Sequence, residues 1–422
     1  MPGALPTLLR VSEPTVRTVR DDEVEEALNT VRTAFLSPPI GAGELAARRT
    51  LIDPERFHAA FDADGRMCGV ARAFPAPLTV PGGEVPAGAV SAVGVLPTHR
   101  RQGHLTRLMR AQLADIVDRG EPTAALVAAE YPIYGRFGYG PATEPANLVI
   151  DALTARWRDA PTGTTELVDN ETWAKVAEEL YERARRANAG HLGWETARWG
   201  WMAGVLQSHD GEDDARARAP KVVWRDEAGE VQGATAYRIV EERWTNNRPA
   251  SVLSADPLVA ATDRAEHELL RYLASIDWVA TVRSGLRPQD DPAPLALVDG
   301  RTARLDDRSD HLWVRVLDVP RALAARRYAV GGSLVVEVAD PMGFAAGRFR
   351  LDAGPDGTEC APTDASPDLA FPASALGAAY LGGQSWARLA AAGWADEATP
   401  GALARADALF ATPRTPWCAM TF

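Results

Sequence analysis

The chain has 422 residues, 46% of them hydrophobic and 24% charged, a composition typical of a globular protein with room for more than one packed core. Lys and Arg total 45 against 57 Asp and Glu, and this net charge of −12 argues against general nucleic-acid binding. The 3 cysteines lie far apart, so we expect neither a disulfide framework nor a metal site. Because the sequence has no signal-peptide core and no long apolar run, we expect a cytoplasmic protein without a membrane span.

The first part of the chain, residues 1–148, is predicted as a mixed α/β domain. Asp21 and Asp22 are candidates to cap a helix whose apolar face continues to Phe35. An amphipathic helix is predicted over residues 104–119, where leucines recur with helical periodicity. Strands are predicted around it, at residues 67–74, 85–95 and 123–129.

The second part, residues 149–305, repeats this order of elements. A helix around Trp173 precedes a hairpin that turns at residues 226–230. A strand at residues 251–260 then precedes a helix opened by Asp263, and no loop containing Arg and Gly separates the two. We therefore predict a degenerate copy of the first domain that lacks a cofactor site.

The third part, residues 306–422, is predicted as an α+β domain. Three strands are followed by three helices rich in Ala and Leu, and the chain ends in an extended tail, residues 412–422. Trp417, Met420 and Phe422 give this tail an apolar character that fits docking, although the pattern leaves a frayed terminus open. The predicted strands lie at residues 311–317, 333–338 and 348–351, and the helices at residues 373–381, 385–392 and 401–410.

The clearest chemical signal lies between the strand that ends at Val95 and the helix that begins at His104. We call residues 98–103, Thr-His-Arg-Arg-Gln-Gly, the basic loop. Free N–H groups at a helix N-terminus bind pyrophosphate, and Gly103 permits close approach of the backbone. Arg100 and Arg101 add charge-assisted hydrogen bonds, and the edge of the preceding strand can pair with an amide-rich chain. A solvated turn is the alternative interpretation.

A second motif, Ile133-Tyr-Gly-Arg-Phe-Gly-Tyr-Gly140, follows the next predicted strand. Together with the basic loop it resembles the Eis (enhanced intracellular survival) family of the GNAT superfamily of N-acetyltransferases. The GNAT loop pattern, Arg/Gln-x-x-Gly-x-Gly/Ala, falls on Arg100, Gly103 and Leu105, and Leu105 departs from the small final residue of the pattern. The resemblance extends over the whole chain.

This resemblance implies an α/β fold of two GNAT domains in tandem, followed by a sterol-carrier-protein-like α+β domain, in a homohexamer. It also implies an enzyme that transfers acetyl from acetyl-CoA to a primary amine of a small molecule, by direct attack in a ternary complex. Tyr134 falls on the general acid, and the C-terminal carboxylate of Phe422 falls on the general base, so the tail is implied to dock. The acetyl-CoA contacts fall on Val93, Gly94, Val95, Arg100, Arg101, Gln102, Gly103, His104, Leu105, Thr106, Ala129 and Glu130.

The chemistry is compatible with these roles and leaves alternatives open. A phenol of pKa about 10 can protonate a departing thiolate, whereas a terminal carboxyl group of pKa about 3.5 is a weak base unless burial or a water relay assists it. Tyr134 can also be a packing residue, and His99 or His104 is an alternative base. For the whole protein, the alternative is a non-catalytic carrier of acyl-CoA or lipid.

The substrate pocket of the resembled family is changed in this sequence. In family members that acetylate aminoglycosides, acidic residues and an aromatic residue line the amine pocket, and one acid precedes the terminal phenylalanine. Here that position is Thr421, residues 35–40 contain no acid, and Arg48 takes the aromatic position. Because fewer negative charges bind a polycation less well, we predict weaker acetylation of aminoglycosides than in those members. Aminoglycoside-like, polyamine and lysine-like amines all stay open as acceptors.

Overall fold

The structure, a computed structural model, describes residues 15–206 and 213–422. Two compact units divide the described chain. The first comprises residues 15–74 and 88–120, and the second comprises residues 75–87 and 121–422. The long strands β3 and β4, Met67–Val80 and Gly83–Val95, contribute residues to both units.

The first unit is built from antiparallel strands and three helices. β1 pairs with β2, and β2 pairs with β3 in a register that sets Phe57 against Arg72. Its core lies between this sheet and the first helix, where Ala27, Leu28 and Val31 are buried. Besides β3 and β4, its elements are β1 (Thr15–Thr18), α1 (Val24–Ala34), α2 (Ala42–Arg49), β2 (Phe57–Phe61) and α3 (His104–Asp118).

The start of α1 differs from the sequence prediction. Asp21 and Asp22 lie in a short 3-10 turn, and neither carboxylate caps the helix. The carboxylate of Glu23 instead accepts the backbone N–H of Arg20 at 2.9 Å. Phe35 lies past the last helical residue and is 57% exposed, so the predicted apolar face ends one turn earlier than expected.

The second unit contains most of the strands of the chain. In this unit β16 pairs with both β5 and β6, a seven-stranded sheet follows the order β15-β7-β14-β13-β10-β9-β8, and a five-stranded sheet follows the order β19-β18-β17-β20-β21. These strands are β5 (Thr123–Val127), β6 (Gly140–Pro141), β7 (Ala146–Asp151), β8 (Thr164–Val168), β9 (Lys221–Arg225), β10 (Val231–Glu241), β11 (Trp244–Thr245), β12 (Arg248–Pro249), β13 (Ser251–Ala260), β14 (Val279–Arg287), β15 (Ala303–Asp306), β16 (Leu312–Val316), β17 (Gly332–Ala339), β18 (Gly347–Gly354), β19 (Gly357–Pro362), β20 (Leu369–Pro372) and β21 (Asp396–Glu397).

The helices of the second unit cover these sheets. In the seven-stranded sheet, Leu269, Leu270 and Leu273 of one amphipathic helix are fully buried against the strands. No helix among the described residues is long and apolar enough to cross a membrane. The helices are α4 (Tyr131–Tyr134), α5 (Asn170–Arg185), α6 (Thr196–Ala203), α7 (Asp213–Arg218), α8 (Asp263–Ala274), α9 (Ala293–Ala296), α10 (Val319–Ala324), α11 (Ala373–Ala379), α12 (Trp386–Ala391) and α13 (Ala402–Phe410).

Most strongly patterned elements were correctly predicted from the sequence. β13, α8 and the helix α3 begin where the sequence places them. β16 was predicted as a strand of the third domain, but its hydrogen-bonded neighbours are β5 and β6, which precede the second domain in the chain. Residues 412–422 contain neither helix nor strand.

Candidate functional site

The strand before the basic loop has an unusual backbone. Ala92, within β4, has a φ of 52°, and Arg101 in the loop has a φ of 64°. Left-handed conformations at residues other than glycine each cost about 1–3 kcal/mol, and they persist where packing or function imposes them. A second constraint lies at Gly94, where a Cβ atom would stand 2.9 Å from the Cβ of Ala34 in α1. The strand end at Val93, Gly94 and Val95 is therefore bent and closely covered by a helix.

No side chain among the described residues caps the N-terminus of α3. Its N-cap residue is Gly103, with a φ of 81° and no side chain, and the first turn contains no acidic residue. Arg100 and Arg101 are exposed next to it, and Arg107 donates to the carbonyl of Gln102 at 3.2 Å. Exposed cations beside uncapped N–H groups suit a pyrophosphate.

The two histidines near the basic loop have structural partners. His104 is 2% exposed, its Nδ1 lies 3.5 Å from Sγ of Cys68, and burial lowers its pKa. Only the backbone of His104 is thus left to contact a ligand, and the backbones of Leu105 and Thr106 follow it in the first helical turn. His99 lies between Thr98 and Asp62, with contacts of 2.8 Å and 3.3 Å. Neither imidazole is arranged as a free base.

In the second unit, Ala129 and Glu130 are exposed between β5 and α4, and Tyr134 ends that short helix. The Tyr134 side chain is 8% exposed, and its hydroxyl makes no hydrogen bond within the described part of the chain. Burial, assisted by the charge of Glu130, raises the pKa of Tyr134 to about 12. The phenol is therefore protonated at neutral pH and able to donate.

The other two tyrosines of this motif have different environments. Tyr139 is completely buried, and burial raises its pKa further, which fits a packing residue. Tyr131 is 52% exposed and packs edge-on against Trp313 at a centroid distance of 4.9 Å. Tyr134 is largely buried near the carboxylate of Glu130 at the end of the short helix, whereas the buried Tyr139 lies near the cation of Arg315.

The Gly-rich part of the motif is held by the third part of the sequence. Gly138 has a φ of 84°, and the guanidinium of Arg315 occupies the space that a Cβ atom there would need. At Gly140 a Cβ atom would stand 1.9 Å from the carbonyl oxygen of Ser374 in α11, so only glycine fits. These contacts fix the segment that carries Tyr134.

The C-terminal tail, residues 412–422, packs against other segments of the second unit. The N–H of Trp417 donates to the carbonyl of Ala189 at 3.1 Å, and Nε2 of His311 lies 3.0 Å from the carbonyl oxygen of Met420. The guanidinium of Arg198 donates to the carbonyl of Thr421. The ring of Phe422 packs edge-on against Trp194 at 5.6 Å. The last residue is therefore anchored rather than frayed.

Sequence reasoning missed the residues that hold the tail. Trp194, Arg198 and His311 contact it from positions more than 100 residues away in the chain. The only sequence signal was the apolar character of Trp417, Met420 and Phe422 in the tail. Nothing in a linear pattern links the carbonyl of Thr421 with the guanidinium of Arg198.

The corresponding helix start in the second sheet has the opposite character. The hydroxyl of Thr262 caps α8 by accepting the N–H of Ala265 at 3.1 Å. Asp263 and Glu266 place acidic side chains in the first turn. This capped and acidic start disfavours a phosphate, in keeping with a degenerate copy.

Comparisons with known proteins define the class. Family models described as acetyltransferase (GNAT) domains match residues 15–142 and 190–316, and one described as a sterol carrier protein domain matches residues 319–419. With the α/β sheets and the uncapped helix start of α3, these matches identify a GNAT N-acetyltransferase with two GNAT domains followed by a sterol-carrier-like domain.

The relatives define the family. An uncharacterized N-acetyltransferase of Streptomyces avermitilis is 41% identical over 411 residues, which cover 96% of this chain and 97% of that protein. The N-acetyltransferase Eis of Mycobacterium tuberculosis is 36% identical over 387 residues, 88% of this chain and 91% of that protein. The crystal structure of Eis1 from Mycobacterium abscessus superposes with a TM-score of 0.84 at 34% identity, covering 97% of this chain and 100% of that one. The chain belongs to the Eis-type N-acetyltransferase family.

Proposed function

We propose that this enzyme transfers acetyl from acetyl-CoA to a primary amine of a small molecule, by direct attack in a ternary complex. The observation that carries the proposal is the presence, in one chain, of the uncapped basic start of α3, a buried protonated Tyr134 and an anchored C-terminal Phe422. A carrier of acyl-CoA or lipid needs the first of these features but neither of the others.

The cofactor roles follow the family resemblance and the chemistry of the groups present. Arg100 and Arg101 supply charge, and the backbone from Gln102 through Gly103 and His104 to Leu105 and Thr106 supplies N–H groups for the pyrophosphate. The remaining contacts go to the bent strand end and to the exposed backbone that precedes α4. These are Val93, Gly94, Val95, Ala129 and Glu130.

The proton transfers are assigned to two groups of the second unit. The terminal carboxylate of Phe422 receives a proton from the substrate ammonium, directly or through a water molecule, so that the neutral nitrogen can attack the thioester carbon. Tyr134 donates its proton to the sulfur as the C–S bond breaks, and the second proton that the nitrogen loses on becoming an amide restores the phenol. Its pKa of about 12 makes transfer to a fully formed thiolate unfavourable, so donation accompanies bond cleavage rather than following it.

The experiment compares thiol release from acetyl-CoA by the native chain, by Tyr134→Phe and by a chain extended with a few residues beyond Phe422. We expect each change to lower kcat by about 10²- to 10⁴-fold, the usual contribution of a positioned acid or base. Tyr131→Phe, which alters an exposed tyrosine of the same helix, is the matched control and should keep native kcat. Equal rates in all of these proteins would contradict the assigned roles. If the protein binds acetyl-CoA but releases no thiol from it with any amine tested, a carrier would be favoured.

The acceptor is proposed to be an amine of low charge. Arg48 pairs with Glu44 at 3.3 Å, and Arg32 contacts the same carboxylate, so this acid is already neutralised by arginines. Phe35 and Leu36, which follow α1, are exposed and add apolar surface rather than charge. We expect kcat/KM for kanamycin or tobramycin to lie below that for small monoamines; efficient acetylation at several sites would contradict this expectation. A cytoplasmic location and a homohexamer stay predictions from the sequence, and a sizing measurement checks the second.

A further inference from the structure

The second unit contains a cavity of about 280 Å³. It lies between the end of β13, the start of α8, the end of β14 and the docked tail, and neither Tyr134 nor Phe422 lines it. This volume corresponds to roughly nine water molecules, enough for a small organic ligand.

The strand pairing explains why space remains there. β13 and β14 pair as parallel strands from Ser251 opposite Val279 to Ser254 opposite Arg283, and the ladder ends at that point. Beyond it, residues of both strands line the cavity. Gly285 has a φ of 72°, and a Cβ atom there would stand 3.4 Å from the carboxyl carbon of Asp256. The side chain of Asp256 therefore lies at the opening where β13 and β14 cease to pair.

The cations of this cavity are already paired, whereas one acid is not. Arg287 is buried between Glu266 and Asp291, and Arg414 pairs with Asp263 at 2.9 Å. The carboxylate of Asp256 is accessible from the cavity and makes no hydrogen bond or ion pair within the described residues. Desolvation by the surrounding protein raises the pKa of Asp256, and the charges of Arg238 and Arg216 oppose this shift. A ligand cation would favour the ionised form.

Two neutral polar residues, Ser284 and His191, belong to the wall of the cavity, and their polar atoms are covered by neighbouring protein atoms. The hydroxyl of Ser284, 4% exposed, and both ring nitrogens of His191, 5% exposed, have no hydrogen-bond partner in the described part of the protein. Burial lowers the pKa of His191 to about 3, so this imidazole is neutral and does not repel a cation. These two residues therefore add no charge to the wall of the cavity, and among the described residues its accessible unpaired charge is that of Asp256.

We propose that this cavity binds a small organic cation, an amine whose ammonium group pairs with the carboxylate of Asp256. An anion would meet three carboxylates and no unpaired cation. A purely apolar ligand would leave the carboxylate of Asp256 without a partner. Neither Tyr134 nor Phe422 lines the cavity, and this inference does not depend on the proposed reaction.

The test is a calorimetric titration of the full-length protein with three probes of matched length: 4-amino-1-butanol, 1,4-butanediol and 4-hydroxybutyrate. We expect only the amine to bind, and Asp256→Asn to weaken its binding by at least about tenfold, because a charge-assisted pair is lost. Asp364→Asn, which removes an exposed carboxylate of the third domain, is the charge-matched control and should bind as the native chain does.

A second variant guards against a folding defect. Ala261→Phe places a bulky ring in the cavity from the partly exposed turn between β13 and α8, and it should abolish amine binding while leaving the thermal unfolding temperature close to native. The proposal is overturned if no probe binds, if all three bind equally, or if amine binding survives in both Asp256→Asn and Ala261→Phe, since the amine would then occupy another site.

Discussion

Two strand–turn–helix segments of this chain share their order of elements and differ in charge. β4 leads into α3 through the basic loop, whose arginines are exposed, and the helix begins at Gly103 without a cap. β13 leads into α8 through two residues, and that helix begins with the cap Thr262 and an acidic first turn. The apolar pattern determines the strand and the helix of each segment. A few residues at the helix start determine the charge that a ligand would meet there.

The difference follows from how each helix terminus is satisfied. Acidic residues and a hydroxyl cap stabilise the positive end of a helix without any ligand. A terminus that lacks both keeps free N–H groups and positive potential for a bound anion. The side chains at the start of α8 thus stabilise that helix terminus, whereas the start of α3 keeps a positive potential that would favour an anion.

The largest expected effect concerns Arg287, the last residue of β14, which pairs with Glu266 in the first turn of α8. Arg287→Met leaves the carboxylates of Glu266 and Asp291 buried without their cation, and the free energy of unfolding should fall by about 3–5 kcal/mol. Urea unfolding measures this loss. Arg301→Met, at an exposed position, is the control and should change the free energy by less than about 0.5 kcal/mol. An unchanged unfolding midpoint in Arg287→Met would show that this arginine is not structural, and the contrast with the basic loop would fail.

The next effect concerns the arginines of the first segment. Arg100→Ser/Arg101→Ser removes two exposed cations from the basic loop, so KM for acetyl-CoA should rise by about tenfold or more while thermal stability stays native. Steady-state kinetics at two salt concentrations measures this, because screening should raise KM in the native chain more than in the variant. Arg66→Ser, an exposed arginine in a turn of the same unit, should leave KM unchanged. A native KM in the double variant would exclude the basic loop as the phosphate site.

The sequence was sufficient for the local part of this comparison. Helical periodicity located α3 and α8, and the Gly and Arg pattern located the basic loop, because these features depend on neighbouring residues. Sequence patterns did not predict the features that depend on burial or on contacts between distant residues. His104 turns inward to Cys68, and β16 joins β5 across a large part of the chain. The anchors of the tail at Trp194, Arg198 and His311 likewise arise only when the chain has folded.

The smallest effect concerns the cap of the second helix. Thr262→Ala removes the hydroxyl that accepts the N–H of Ala265, and the free energy of unfolding should fall by about 1 kcal/mol, the usual loss for a helix cap. KM for acetyl-CoA should not change, because the acidic first turn of α8 does not suit a phosphate. Thr262→Ser keeps the hydroxyl and should keep most of the stability, which separates the cap from the lost methyl group. If Thr262→Ala instead raised KM for acetyl-CoA while Thr262→Ser did not, the α8 terminus would take part in cofactor binding, and the division between a binding terminus and a structural one would be wrong.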